Sequence, residues 1–157
     1  MNRALLVRHG FRLVEQHVAS GYRAFSTFGW NAAELMVQDV DALAEGHEFF
    51  SLGGSSVSPD GTLLAYSTDV VGDERYTIRV KDLTTGDLRA DEIVGALGGA
   101  TWDRAGENFY YTTVDESWRS DKIWRHTLGT AQADDELVHH EEDGRFFVGV
   151  GRSRSDR

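Results

Sequence analysis

Serine, histidine and carboxylate side chains are all present, so nucleophilic hydrolysis is the first chemistry to test against the spacing. A nucleophile elbow needs Gly-x-Ser-x-Gly on a tight strand-to-helix turn, which exposes the serine beside oxyanion-hole amides. The nearest strings, Gly54-Ser55-Ser56-Val57 and Gly151-Arg152-Ser153-Arg154-Ser155, lack the second glycine, and both fall on expected strands. No catalytic residue is assigned. His47-Glu48 has the start of a zincin helix, but that motif needs a second histidine four residues after the first, and position 51 is serine. His139-His140-Glu141-Glu142-Asp143 holds ligand-type residues, yet adjacent strand positions point to opposite faces, so a solvated loop or strand end is expected there. His9, His17 and His126 show no paired spacing. Neither a metal site nor a cofactor is expected.

Two groups point to binding instead. Asp69, Asp73 and Glu74 crowd carboxylates into one short stretch, which attracts a cationic partner and also suits a solvated hairpin loop. Trp102, Trp118 and Trp124 are large flat side chains of the kind that stack on ligands. Trp118 lies in the polar stretch Asp115 to Asp121 and reads as a surface aromatic.

The elements that position these residues follow from composition and patterning. The 157 residues allow one ordinary domain, or part of one, and the net charge of −10 opposes nucleic acid phosphates. There is no cysteine, hence no disulfide framework or thiolate site, and the cytoplasm is the default compartment. Charged or polar residues interrupt every apolar run well short of the roughly 20 residues that span a bilayer, so no membrane partner is expected. Residues 1–33 hold four arginines against the single acid Glu15, net +3, whereas the remainder has 12 bases and 25 acids, net −13. Leu6, Leu13, Val14 and Val18 recur at roughly helical spacing, which predicts an amphipathic helix over Ala4 to Ala19. From Glu48 onward, short β-prone runs alternate with turn formers such as Ser58-Pro59-Asp60-Gly61 and Arg104-Ala105-Gly106. The expected strands are Ser55 to Ser58, Thr62 to Thr68, Arg75 to Asp82, Arg89 to Val94, Ala100 to Asp103, Asn108 to Val114, Lys122 to Leu128, Glu136 to His140 and Phe146 to Val150.

A repeat selects among the all-β architectures. An offset of 45 places Val57 on Trp102, Gly61 on Gly106, Leu64 on Phe109, Tyr66 on Tyr111, Ile78 on Ile123 and Leu83 on Leu128 without a gap. A unit of this length with four strands is the size of one propeller blade. Trp102, aligned on Val57, is then an interior packing residue rather than a stacking platform. The fold expected is mainly β: a partial propeller of about two four-stranded antiparallel blades, with a third beginning at Phe146, preceded by an N-terminal helix. Such a number does not close a ring of typically four to eight blades.

Five ordered segments carry a family resemblance: Ala44 to Gly53, Val57 to Ser67, Gly72 to Thr77, Lys122 to Thr130 and Arg145 to Ser155. They resemble the N-terminal propeller of oligopeptidase B (protease II), a serine peptidase of the prolyl oligopeptidase family. The resemblance covers residues 34–157 and leaves 1–33 as a non-matching segment. It implies a propeller standing over an α/β-hydrolase catalytic domain, whose serine, aspartate and histidine belong to a longer chain than this. It also implies a gate that admits short peptides, cleaved after Lys or Arg, with Asp69, Asp73 and Glu74 favouring the basic substrate. These residues by themselves are expected to be a truncated, inactive part of such a peptidase. The alternative is an independent propeller-type binding module that completes its sheet by self-association or with a partner.

Overall fold

The computed structural model describes residues 4–8, 11–15, 40 and 42–153, and the side chains of 40 and 42–153. The chain divides into two compact units, Met1–His47 and Glu48–Arg157.

In the first unit, β1 (Ala4–Arg8) and β2 (Phe11–Glu15) form an antiparallel hairpin in the register Ala4↔Glu15 to Arg8↔Phe11. This corrects the helix expected over Ala4 to Ala19. Of the apolar residues that suggested a helical face, Leu6 lies on β1 and Leu13 and Val14 on β2, and apolar runs this short fit a strand as well as a helix. Leu6 and Leu13 become cross-strand partners. Residues 16–19 of that expectation lie outside the described residues. Val40 and residues 42–44 are helical.

The second unit holds two four-stranded antiparallel meanders. The first blade runs β3 (Ser51–Val57), β4 (Leu63–Asp69), β5 (Tyr76–Asp82) and β6 (Leu88–Ala96). The second runs β7 (Thr101–Trp102), β8 (Asn108–Val114), β9 (Ser120–Thr127) and β10 (Glu136–His140). Strand β8 begins and ends 45 residues after β4, as the repeat requires. The turns repeat too: Gly61 and Gly106 both take positive φ, +78° and +73°, where a side chain would be strained. Phe146–Val150 forms no strand. Its link to the sheet is Ser120, whose backbone O accepts from Val148 N–H at 2.9 Å and whose Oγ donates to Val148 O at 2.7 Å. A strand needs a neighbour along its length, and among the described residues none lies there.

Alternation along each strand divides its side chains between two faces. Leu63, Ala65, Ile78, Val80 and Ile93 of the first blade pack against Ala100, Trp102, Phe109 and Tyr111 of the second, making the core an interface between blades. Trp102 meets Phe109 edge to face at 5.5 Å and donates from Nε1 to Ser56 O at 3.0 Å, so its interior role is as the repeat indicated. Strand β4 is buried on both of its faces. Leu64 and Tyr66 are the counterparts of Phe109 and Tyr111, so they occupy the opposite face of the first blade from Leu63 and Ala65.

Candidate functional site

Both hairpin loops that leave the middle strands emerge at the same end of the sheets, since β4 and β8 run alike in successive blades. Each is organised by one aspartate. The buried Asp69 ends β4 and accepts from the backbone N–H groups of Val71 and Gly72 at 2.8 Å and of Glu74 at 2.9 Å. Burial pushes this carboxyl up, but the N–H donors of Gly72, Val71 and Glu74 outweigh it and hold Asp69 below the usual carboxylate range. Asp73 accepts from Arg75 N–H at 3.0 Å, and Glu74 is held at φ +57°. Asp115 repeats the device after β8, accepting from Ser117 N–H at 2.8 Å and from Arg119 N–H and Nε at 3.0 Å. The Arg119 backbone donor is the main cause that keeps Asp115 low.

Trp118 sits on this second loop, 43% exposed and at φ +62°. The Arg75 guanidinium lies 5.2 Å from its ring centre, joining the two loops by a cation–π contact. Arg119 reaches the next connection, donating from Nη1 to the carbonyls of Glu141 and Asp143 at 3.0 Å and of Phe146 at 3.2 Å. The rim therefore presents Asp73, Glu74 and Trp118 on braced loops, with the exposed Val71 on the first loop and the exposed Phe146 tied to the second through Arg119. It can attract a cation and offer flat or apolar contact; it holds no nucleophile paired with a base.

The expected residues are thus brought to one rim but do unequal work. Asp69 is committed to the loop backbone, whereas Asp73 and Glu74 stay exposed. Ser56 Oγ donates to Ala100 O at 2.7 Å, and Gly54-Ser55-Ser56-Val57 lies on β3, unlike any nucleophile elbow. Gly151-Arg152-Ser153 is not on a strand as expected. His139 and His140 end the exposed strand β10, with His140 Nε2 3.3 Å from Asp121 Oδ2.

The spacing of the histidines gave no hint of the other polar constellation. His126 is fully buried, with Nδ1 2.7 Å from Asp135 Oδ1 and Nε2 3.2 Å from Asp91 Oδ1. Tyr111 Oη donates to Asp135 Oδ2 at 2.7 Å, while Gly129 N–H and Arg89 Nε donate to Asp91. Burial pushes Asp91 up, yet the donors from Gly129, His126 and Arg89 hold it below the usual carboxylate range. The Tyr111 hydroxyl is pushed well up, by burial first and then by its bond to Asp135. Both ring nitrogens face carboxylates, leaving no lone pair open to a metal ion.

The profile described as prolyl oligopeptidase, N-terminal β-propeller domain, matches residues 12–157. The chain belongs to the prolyl oligopeptidase family. Among its relatives, dipeptidyl aminopeptidase BI of Pseudoxanthomonas mexicana is 39% identical over 140 residues, covering 88% of this chain and 19% of that protein. Protease 2 of Moraxella lacunata is 38% identical over 129 residues, covering 81% of this chain and 19% of that protein. Oligopeptidase B of Trypanosoma brucei, solved with antipain covalently bound, superposes with a TM-score of 0.73 at 33% identity over 97% of this chain and 22% of its own. The chain therefore spans about a fifth of the length of the peptidases it matches. Its resemblance to the oligopeptidase B type of propeller holds in sequence and in fold. Among the described residues no helix is long and apolar enough to cross a membrane.

Proposed function

We propose that this propeller segment serves a cytoplasmic serine oligopeptidase of the oligopeptidase B kind, as part of the domain that limits access to an α/β-hydrolase catalytic domain. The observation that carries this reading is the likeness to the Trypanosoma brucei enzyme along nearly the whole chain, at 33% identity and a TM-score of 0.73. The role is steric and electrostatic, and the family match that supports it reaches back to residue 12, ahead of the boundary expected at residue 34. Asp73 and Glu74 stand on the rim as the charges that favour short peptides bearing Lys or Arg. Asp69 acts beneath them by holding the loop in shape.

Two measurements test the two levels of this reading. Reading the gene beyond the codon for Arg157 should reveal further propeller repeats and a Gly-x-Ser-x-Gly segment; their absence overturns the peptidase assignment. Titrating the full chain with a short Arg-containing peptide and its neutral isostere tests the rim. The cationic peptide should bind more tightly, the preference should weaken with salt, and D73N/E74Q should reduce it. Equal binding of the two peptides removes the electrostatic gate but not the family assignment. The independent-module reading draws on Leu137 and Val138, exposed on the outer strand β10. A closed oligomer of defined mass in solution would favour it.

A further inference from the structure

The two blades are tied at an inner and an outer position. Nearer β3 and β7, Trp102 Nε1 donates to Ser56 O at 3.0 Å and Ser56 Oγ donates to Ala100 O at 2.7 Å. Farther out, the outermost strand of the first blade meets the second through polar groups. Val94 exchanges two 3.0 Å hydrogen bonds with the Gln132 side chain, and Asp91 accepts from Gly129 N–H and faces His126.

The protonation of His126 decides whether this outer tie can be complete. A carboxylate only accepts hydrogen bonds, and a neutral imidazole carries one N–H; the imidazolium alone donates from both nitrogens. The ring is wholly buried, its centre 4.9 Å from that of Phe109 with the two planes tilted at 42°, so bulk solvent does not reach it. Charge points the same way. The groups around the ring are Asp91, with its partner Arg89, from β6, Asp135, with its partner Tyr111, from the β9–β10 connection and β8, and the apolar Phe109 of β8. Two carboxylates are balanced by Arg89 and an imidazolium, and left one charge in excess by a neutral ring. Neighbouring charges are engaged elsewhere: Glu92 pairs with Arg79 at 3.0 Å, and Arg125 pairs with Glu136.

We propose that His126 is a protonation-dependent latch between the blades, bridging Asp91 of the first to Asp135 of the second as an imidazolium and releasing the outer half of their interface when its proton leaves. Loss of that proton leaves one carboxylate facing a bare ring nitrogen in a buried site, an arrangement relieved by separation of β6 from β9. The inner tie contains no titrating group and stays closed, so the blades hinge rather than part.

NMR of the isotopically labelled full chain, followed as pH is raised from mildly acidic, reads this directly. Two His126 ring N–H signals are expected on the acidic side. As one disappears, hydrogen-exchange protection at Gly129 and Val94 should fall by about tenfold or more, while the Trp102 Nε1–H stays protected. A His126 ring that carries a single N–H throughout overturns the latch, as does unchanged protection at Gly129 and Val94 across the loss of the second. In H126N the outer amides should be poorly protected at every pH. If that variant does not fold, the measurement on the native chain still decides.

Discussion

Single carboxylates shape several loops among the described residues, and Asp69 is the clearest case. Its two oxygens serve three backbone donors of one hairpin, so truncation leaves those N–H groups to find water or go unpaired. D69A should cost about 1–2 kcal/mol in urea unfolding and raise amide exchange at Val71, Gly72 and Glu74. The pH dependence has a definite sign. Because the folded-state value of Asp69 lies below its ordinary 3.8, its contribution is fully present above that value and is lost as pH falls through the lower, folded one. Loop protection should therefore hold from neutral pH to about pH 4 and decline below it. The acidic residues of this stretch were visible in the sequence, but their division of labour was not. Asp69, Asp73 and Glu74 look alike in a string, and only the fold of the loop turns one carboxylate inward and leaves two in solvent.

Strand and hairpin boundaries follow closely from local pattern, because turn formers and β-branched or aromatic runs act within a few residues of each other. Where the pattern is short, the local signal divides. The apolar residues of 4–8 and 11–15 fit helical spacing and also two short pairing strands, and the structure adopts the second. Between elements, close approach is decided by glycines that carry no periodic signal. A Cβ on Gly54 of β3 would stand 2.5 Å from the Cα of Gly99, in the connection that leads to the second blade. The blades can approach this closely only with bare backbone on both sides. G54A should force them apart and destabilise the unit by about 1–3 kcal/mol, read as a lower urea midpoint. An unchanged midpoint would show that the β3 backbone shifts without cost.

The charge of the whole molecule and its many capped carboxyls predict its response to acid. Asp60, Asp69, Asp82, Asp91, Asp103, Asp115 and Asp143 are all held below the usual carboxylate value, by hydrogen bonds that outweigh burial where burial opposes them. Each contributes stability above its unfolded value and loses it as pH falls, so circular dichroism should show cooperative acid unfolding that sets in below about pH 4. An unfolding midpoint insensitive to pH between 5 and roughly 2 would contradict this account. At this scale the sequence by itself determined the all-β class, the 45-residue blade and the relation to oligopeptidase B, because these rest on local periodicity and on words that repeat along the chain. The tertiary structure alone decided that His126 is enclosed by Asp91 and Asp135, 35 and nine residues away along the chain. No spacing rule links those three positions, since they meet only when one blade packs on the next and removes them from water.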